Sequence, residues 1–155
     1  MKLIVGEQAI KKGKLITTVT IPKEFILSFA VKPTWMRKSY NTVLEIYGVL
    51  KVWFRAYSTK GLMVRMYKMS GRRRDFRKSK TYETNKWVNV VISQLNENGV
   101  YNFEVVVDGE VLHSTINSQP RAVDNAKFYV ADPYFTGSEG FLPGYVKKLS
   151  LIVKQ

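Results

Sequence analysis

The chain has 155 residues, 45% of them hydrophobic and 24% charged. That is the make-up of one globular domain and excludes a disordered polymer, a fibrous repeat or, without an apolar run near the ~18 residues a span needs, a helical membrane protein. Twenty-five Lys and Arg against 12 Asp and Glu give a net charge of +13, a field that favours anionic partners.

Three Trp, nine Tyr and eight Phe fall among Val, Ile and Thr, the residues that suit a pleated, half-buried surface. In chain order, short alternating or apolar runs predict strands at Leu15 to Ile21, Phe25 to Val31, Thr42 to Tyr47, Val52 to Tyr57 and Leu62 to Tyr67. Further strands are predicted at Lys80 to Glu83, Trp87 to Ser93, Tyr101 to Val107, Glu110 to Ser114, Lys127 to Ala131 and Val146 to Lys154. Gly and Pro punctuate the gaps, and no window carries a clean helical stripe. The strongest local signal is YNFEVVVDGEVLHS, where Tyr101, Phe103, Val105 and Val107 share one face by period two. Asp108-Gly109 then supplies the positive φ angles of a two-residue hairpin turn. The expected architecture is all-β, a two-sheet antiparallel sandwich forming one domain over residues 1–155.

With no Cys, disulfides, thiolate metal sites and thiol catalysis are all excluded. His113 is the single His and the only candidate base for a triad, yet no Gly-x-Ser-x-Gly turn accompanies it, and a half-buried strand position explains it better. A paired-carboxylate hydrolase is also poorly supported: a two-residue turn sets Glu110 opposite Val107 and Glu104 opposite His113, so the hairpin carboxylates do not face each other. The expectation is therefore a protein that is not an enzyme. The opening MKLIVGEQAIKKGKLITT has only three consecutive apolar residues before Gly6, too few for a signal-peptide core, which leaves a cytosolic protein or the mature part of a longer chain.

The charge is lopsided. Residues 1–80 hold 19 bases and four acids, a balance of +15, whereas residues 81–155 stand at −2. The densest stretch includes Arg65, Lys68, Arg72, Arg73, Arg74, Arg77, Lys78 and Lys80, opposed only by Asp75. Lying between two predicted strands, Ser70 to Lys80 reads as a protruding hairpin loop. A cluster of planar guanidinium forks there would grip carboxylate, sulfate or phosphate; a merely solvating charge run is the bland alternative. Lys11, Lys12, Lys14, Arg37, Lys38, Lys51 and Arg55 would extend the field if folded alongside. Trp53 and Trp87 are expected in the core, and Trp35, in PTWMRKSY, is the exposed aromatic candidate for stacking on a ligand. Nucleic acid is disfavoured, because no sequence signature of such modules is present.

The series FILSFAVKPT, NTVLEIYG, VWFRAY, GLMVRMY and NKWVNVVISQLNENGVYNFEVVVDGEVLHS resembles the concanavalin A-like jelly roll of laminin-G-type and related lectin-like domains. The continuation INSQPRAVDNAKFYVADPYFTGSEGFLPGYVKKLSLIV is similar to a poorly characterised group of extracellular animal domains of that fold, with their Asn-x-x-Pro and Tyr-x-x-Asp-Pro turns. The resemblance implies two packed antiparallel sheets, one concave, used to bind glycans or protein partners, and an extracellular setting. Two features depart from lectin relatives. Asp124, Asn125 and Asp132 are the only cluster that offers calcium its oxygen ligands, and turn capping accounts for them as well. His113 and Asn117 do not reproduce the galectin spacing. Beyond that low-ranked calcium site no cofactor is implied.

Two functions remain open on the sequence. One is a non-catalytic lectin-like module that recognises an acidic glycan or other anionic polymer or surface through the basic segment. The other is a structural or matrix interaction domain that self-associates or docks a protein partner.

Overall fold

A computed structural model of the chain describes residues 2–11, 13–36, 40–55, 61–68, 72–78, 82–131 and 141–154. Its strands are β1 (Lys2–Val5), β2 (Gln8–Ala9), β3 (Lys14–Ile21), β4 (Glu24–Pro33), β5 (Tyr40–Ile46), β6 (Leu50–Arg55) and β7 (Leu62–Tyr67). They continue with β8 (Arg73–Lys78), β9 (Val88–Glu97), β10 (Val100–Val107), β11 (Glu110–Ile116), β12 (Val123–Val130) and β13 (Gly144–Lys154). All pairings are antiparallel and form two sheets. One runs β1-β13-β4-β9-β10-β11 with β2 also on β13, seven strands in all, and the other runs β3-β12-β5-β6-β7-β8, six strands. No helix among the described residues is long and apolar enough to cross a membrane.

Alternation along each strand sends one set of side chains between the sheets. Phe25, Leu27, Phe29 and Val31 of β4, Val90 and Ile92 of β9 and Phe103, Val105 and Val107 of β10 line the seven-stranded side. Leu44 and Ile46 of β5, Val52 and Phe54 of β6, Val64 and Met66 of β7 and Phe128 and Val130 of β12 meet them from the other. Each large side chain so buried contributes about 1.5–3 kcal/mol relative to leaving it in water. Polar groups in this core are bonded in a chain: Asn117 donates to Gln94 Oε1 at 2.9 Å, Gln94 donates to Lys23 O at 2.7 Å, and Asn117 Oδ1 accepts from the Gln119 N–H at 3.0 Å. At Gly144 the backbones of β13 and β4 approach so closely that a Cβ there would stand 2.2 Å from Lys32 O.

The hairpin of β10 and β11 turns at Asp108 (φ 50°) and Gly109 (φ 79°) as expected. Its register differs beyond the turn: a bulge after Val111 leaves Leu112 unpaired, so His113 faces Val105 and Glu104 faces Ser114. The larger correction concerns Ser70 to Lys80. Its described part is no protruding loop, because Arg73–Lys78 is the edge strand β8, paired to β7 from Tyr67↔Arg73 to Leu62↔Lys78. Of the strand expected at Lys80 to Glu83, Tyr82 and Glu83 are not in a strand, and Lys80 lies outside the described residues. The reason β8 pairs is Phe76, whose ring turns inward and stacks 4.0 Å from the His113 ring and 5.6 Å from Phe103, closing the seam between the edge strands of the two sheets.

Candidate functional site

The ladder registers place one continuous row across the outer face of the six-stranded sheet: Asp75 on β8, Arg65 on β7, Lys51 on β6, Glu45 on β5, Tyr129 on β12 and Leu15 on β3. Beside it, Met63, Trp53 and Thr42 form a second row. Arg65 and Lys51 converge on the indole of Trp53, the guanidinium carbon at 5.1 Å and the ammonium at 5.9 Å from the ring centroid, both within cation–π reach. Trp53 is buried, as expected, but on this outer face and outside the inter-sheet core. Val52 and Phe54 take the inward positions of β6, so alternation leaves Trp53 facing out. Trp87 departs further from the expectation of a core residue: it is half-buried just before β9 of the opposite sheet, with Lys147 Nζ 3.9 Å and Lys32 Nζ 5.1 Å from its ring.

The basic residues singled out in the sequence do not converge on one tip. Strand geometry points Arg73 outward and Arg74 toward the seam, where its guanidinium lies 5.1 Å over Phe76 and reaches Thr115 Oγ1 at 3.5 Å. Arg65 is neutralised by a two-pronged pair with Asp75, Nε to Oδ1 at 2.8 Å and Nη2 to Oδ2 at 3.2 Å. That carboxylate raises the Arg65 guanidinium pKa above its ordinary range, against the opposing effect of burial. Arg72 and Arg73 stay exposed, and the Lys68 N–H donates to Arg72 O across the turn between β7 and β8. Lys80 lies outside the described residues, as do the side chains of Arg77 and Lys78. Trp35 is 59% exposed, but it follows β4 where the Thr34 N–H donates to Pro143 O. That is the Tyr40 and Leu62 end of the sandwich, and Arg73 sits at the other.

At the Arg73 end the six-stranded sheet carries a hollow of about 420 Å³ lined by Tyr47, Gly48, Tyr67, Arg121, Val123, Asp124, Asn125, Ala126 and Lys127. Three local devices build it. The turn between β5 and β6 needs Gly48 at φ +77°, and the Arg121 guanidinium lies against it, its Nη1 donating to Gly48 O at 3.3 Å. A bulge in β12 sets two residues, Asp124 and Asn125, against one on β3, with Asn125 at φ 51°. Bulges of this kind re-aim side chains out of a ladder. The Tyr47 N–H donates to Lys127 O at 2.9 Å and the Tyr67 N–H to Val49 O at 3.1 Å, which fixes the backbone under both rings.

Sequence reasoning marked Asp124, Asn125 and Asp132 as calcium candidates; Asp132 lies outside the described residues, and no group of three His, Cys, Asp or Glu side chains occurs among those described. It missed Tyr47, Tyr67, Arg121 and Lys127 as partners, because only the β12 bulge and the two turns bring these distant segments together.

No family model matches the sequence, and no curated protein matches it either. Solved structures do share its fold. The heptameric SAP-like pentraxin of Limulus polyphemus superposes with a TM-score of 0.66 at 12% identity over 97% of this chain and 74% of that one. Domain 4 of an extracellular GH43 arabinanase from Geobacillus stearothermophilus, solved with arabinotriose, gives 0.63 at 15% identity over 97% and 81%. A galectin of Caenorhabditis elegans gives 0.56 at 12% identity over 97% and 96%. The chain has the concanavalin A-like jelly-roll fold of these proteins, the fold expected from the sequence.

Proposed function

We propose that the chain is a non-catalytic glycan-binding module that takes an acidic polysaccharide along the β8 edge of its six-stranded sheet, in an extracellular setting. The observation that carries the reading is the exposure of Arg72 and Arg73 on that edge, next to the half-buried Lys51 and Arg65 that pack on Trp53. Cations spaced along a sheet edge suit a repeating polyanion better than a small ligand, since each contact is modest and their sum is large. Support from likeness comes from the arabinotriose-bound arabinanase domain and the galectin, which share the fold. The basic strand β8 replaces the basic loop as the centre of the surface.

The test is retention on a heparin column, a sulfated polysaccharide matrix. Replacing Lys51, Arg72 and Arg73 together by Ser is expected to bring elution to markedly lower salt. Unchanged elution removes this edge from the reading.

A second reading, self-association, is favoured by the edge strand β11, where Val111 is 52% and Ile116 60% exposed beside an unpaired backbone edge. Sedimentation at rising protein concentration separates the two: a strictly monomeric chain counts against self-association and leaves the glycan reading intact.

A further inference from the structure

We propose that the hollow beside Gly48 seats one carboxylated sugar unit, a hexuronic or sialic acid, of the bound glycan. This rests on the glycan reading above and adds to it the unit that the sheet selects.

The hollow, at about 420 Å³, falls at the small end of the range that ligand pockets occupy, roughly 300–1,000 Å³. Its lining sorts into three chemistries. Arg121 and Lys127 are permanent donors with no acceptor, suited to a carboxylate. Asp124 accepts only, and Asn125 both accepts and donates, so this pair matches neighbouring hydroxyls. Tyr47 and Tyr67 present rings on which the C–H face of a pyranose can lie. Arg121 is held in place by Gly48 O, which consumes one of its five N–H groups and leaves the others for a ligand.

The charge count narrows the ligand class. Two cations and one anion line the hollow, a local balance of +1. A single carboxylate meets that balance. A sulfate- or phosphate-dense unit brings excess negative charge against Asp124 and offers it no hydroxyl, while a neutral hexose leaves Arg121 and Lys127 facing only water. A hydroxylated monocarboxylate uses the charged, amide and aromatic side chains of the lining together.

The experiment titrates glucuronic acid, N-acetylneuraminic acid and, as neutral control, glucose into the ¹⁵N-labelled chain, with heparin-column retention measured in parallel. At least one acid is expected to shift the Gly48, Asn125 and Lys127 amides saturably, with glucose about tenfold weaker or silent. Arg121→Gln and Lys127→Gln are each expected to weaken the acid about tenfold, with heparin retention falling far less than in the Lys51, Arg72 and Arg73 triple variant. Should Arg121→Gln disturb the turn at Gly48, Lys127→Gln decides alone, because Lys127 is exposed and in no ion pair among the described residues. Glucose binding as tightly as the acids, or acids that leave these amides unmoved while heparin is retained, overturns this assignment and spares the broader reading. Loss of both heparin retention and acid binding in the unmodified chain overturns the two together.

Discussion

His113 occupies a position where its charge would be costly. The ring is stacked 4.0 Å from Phe76, its Nε2 is buried without a hydrogen-bond partner among the described residues, and the Arg74 cation lies nearby. Burial first, and then repulsion from Arg74, lower its pKa from the ordinary 6.5. A base whose folded pKa is lowered binds more protons when unfolded, so stability rises with pH across that window. The stabilisation is complete above the ordinary value of 6.5 and is lost as pH falls from there through the lowered folded value. Melting temperatures of the wild type and His113→Phe across pH 4–7, about the span over which histidine titrates, are expected to diverge on the acid side, with the variant losing less. Parallel curves would remove His113 from the acid response.

Asp75 governs how much of the basic edge is available. Its two-pronged bond holds Arg65 at 2.8 and 3.2 Å, with side-chain exposures of 37% and 18%. A pair this exposed contributes about 0.5–1 kcal/mol, so Asp75→Asn should barely lower stability. It should release Arg65 toward solvent and delay elution from heparin, and an earlier or equal elution would contradict the cationic-edge reading. At Gly144 the constraint is steric: a methyl 2.2 Å from Lys32 O cannot be absorbed without moving backbone. Gly144→Ala is therefore expected to cost about 2–4 kcal/mol by chemical denaturation, in the range of severe overpacking and backbone strain.

Strand β8 shows what an element owes to its neighbours. RRDFRK contains one apolar residue, and its single inward aromatic is all that a sheet edge requires. Phe76→Ala is expected to cost about 3 kcal/mol, the low end for a buried Phe because the seam can partly collapse. It should also broaden the His113 and Phe103 ring signals, and a loss below about 1 kcal/mol would show that β8 is held by its ladder alone. The same strand explains the limit of sequence reasoning. Interior strands such as Leu62–Tyr67 and the Asp108-Gly109 hairpin were legible, since period-two apolar patterning and turn chemistry are written locally. β8 reads as a charged loop because its strand character comes from pairing with β7 and from one stacked ring, neither visible in six residues. β6 misleads in the other direction: Val52, Trp53 and Phe54 are all buried, and a strand covered on both faces loses the alternation that would have assigned Trp53 outward. Of the candidate site, sequence reasoning grouped basic residues that the fold does not bring to one tip, and it did not reach the hollow, because Gly48, Arg121 and the Asp124-Asn125 bulge meet only in the folded chain.

At the scale of the whole molecule, the +15 balance of residues 1–80 is spread by the fold over strands of both sheets, and the part carried by β6, β7 and β8 lies along one sheet edge. Such a surface attracts polyanions over a distance set by salt, about 30 Å at 0.01 M and 8 Å at 0.15 M. A long sulfated chain meets several of these cations at once, so its affinity should fall steeply across that salt range. A single uronic acid in the hollow meets only Arg121 and Lys127, and Asp124 partly offsets them. Its affinity should fall far less, because hydroxyl and ring contacts do not depend on ionic strength. Binding isotherms for a heparin oligosaccharide and for glucuronic acid at the two salt concentrations test this directly. A steep slope for the first and a shallow one for the second is expected from two sites of different chemistry on one sheet, and equal slopes would mean that both ligands are held by the same diffuse charge.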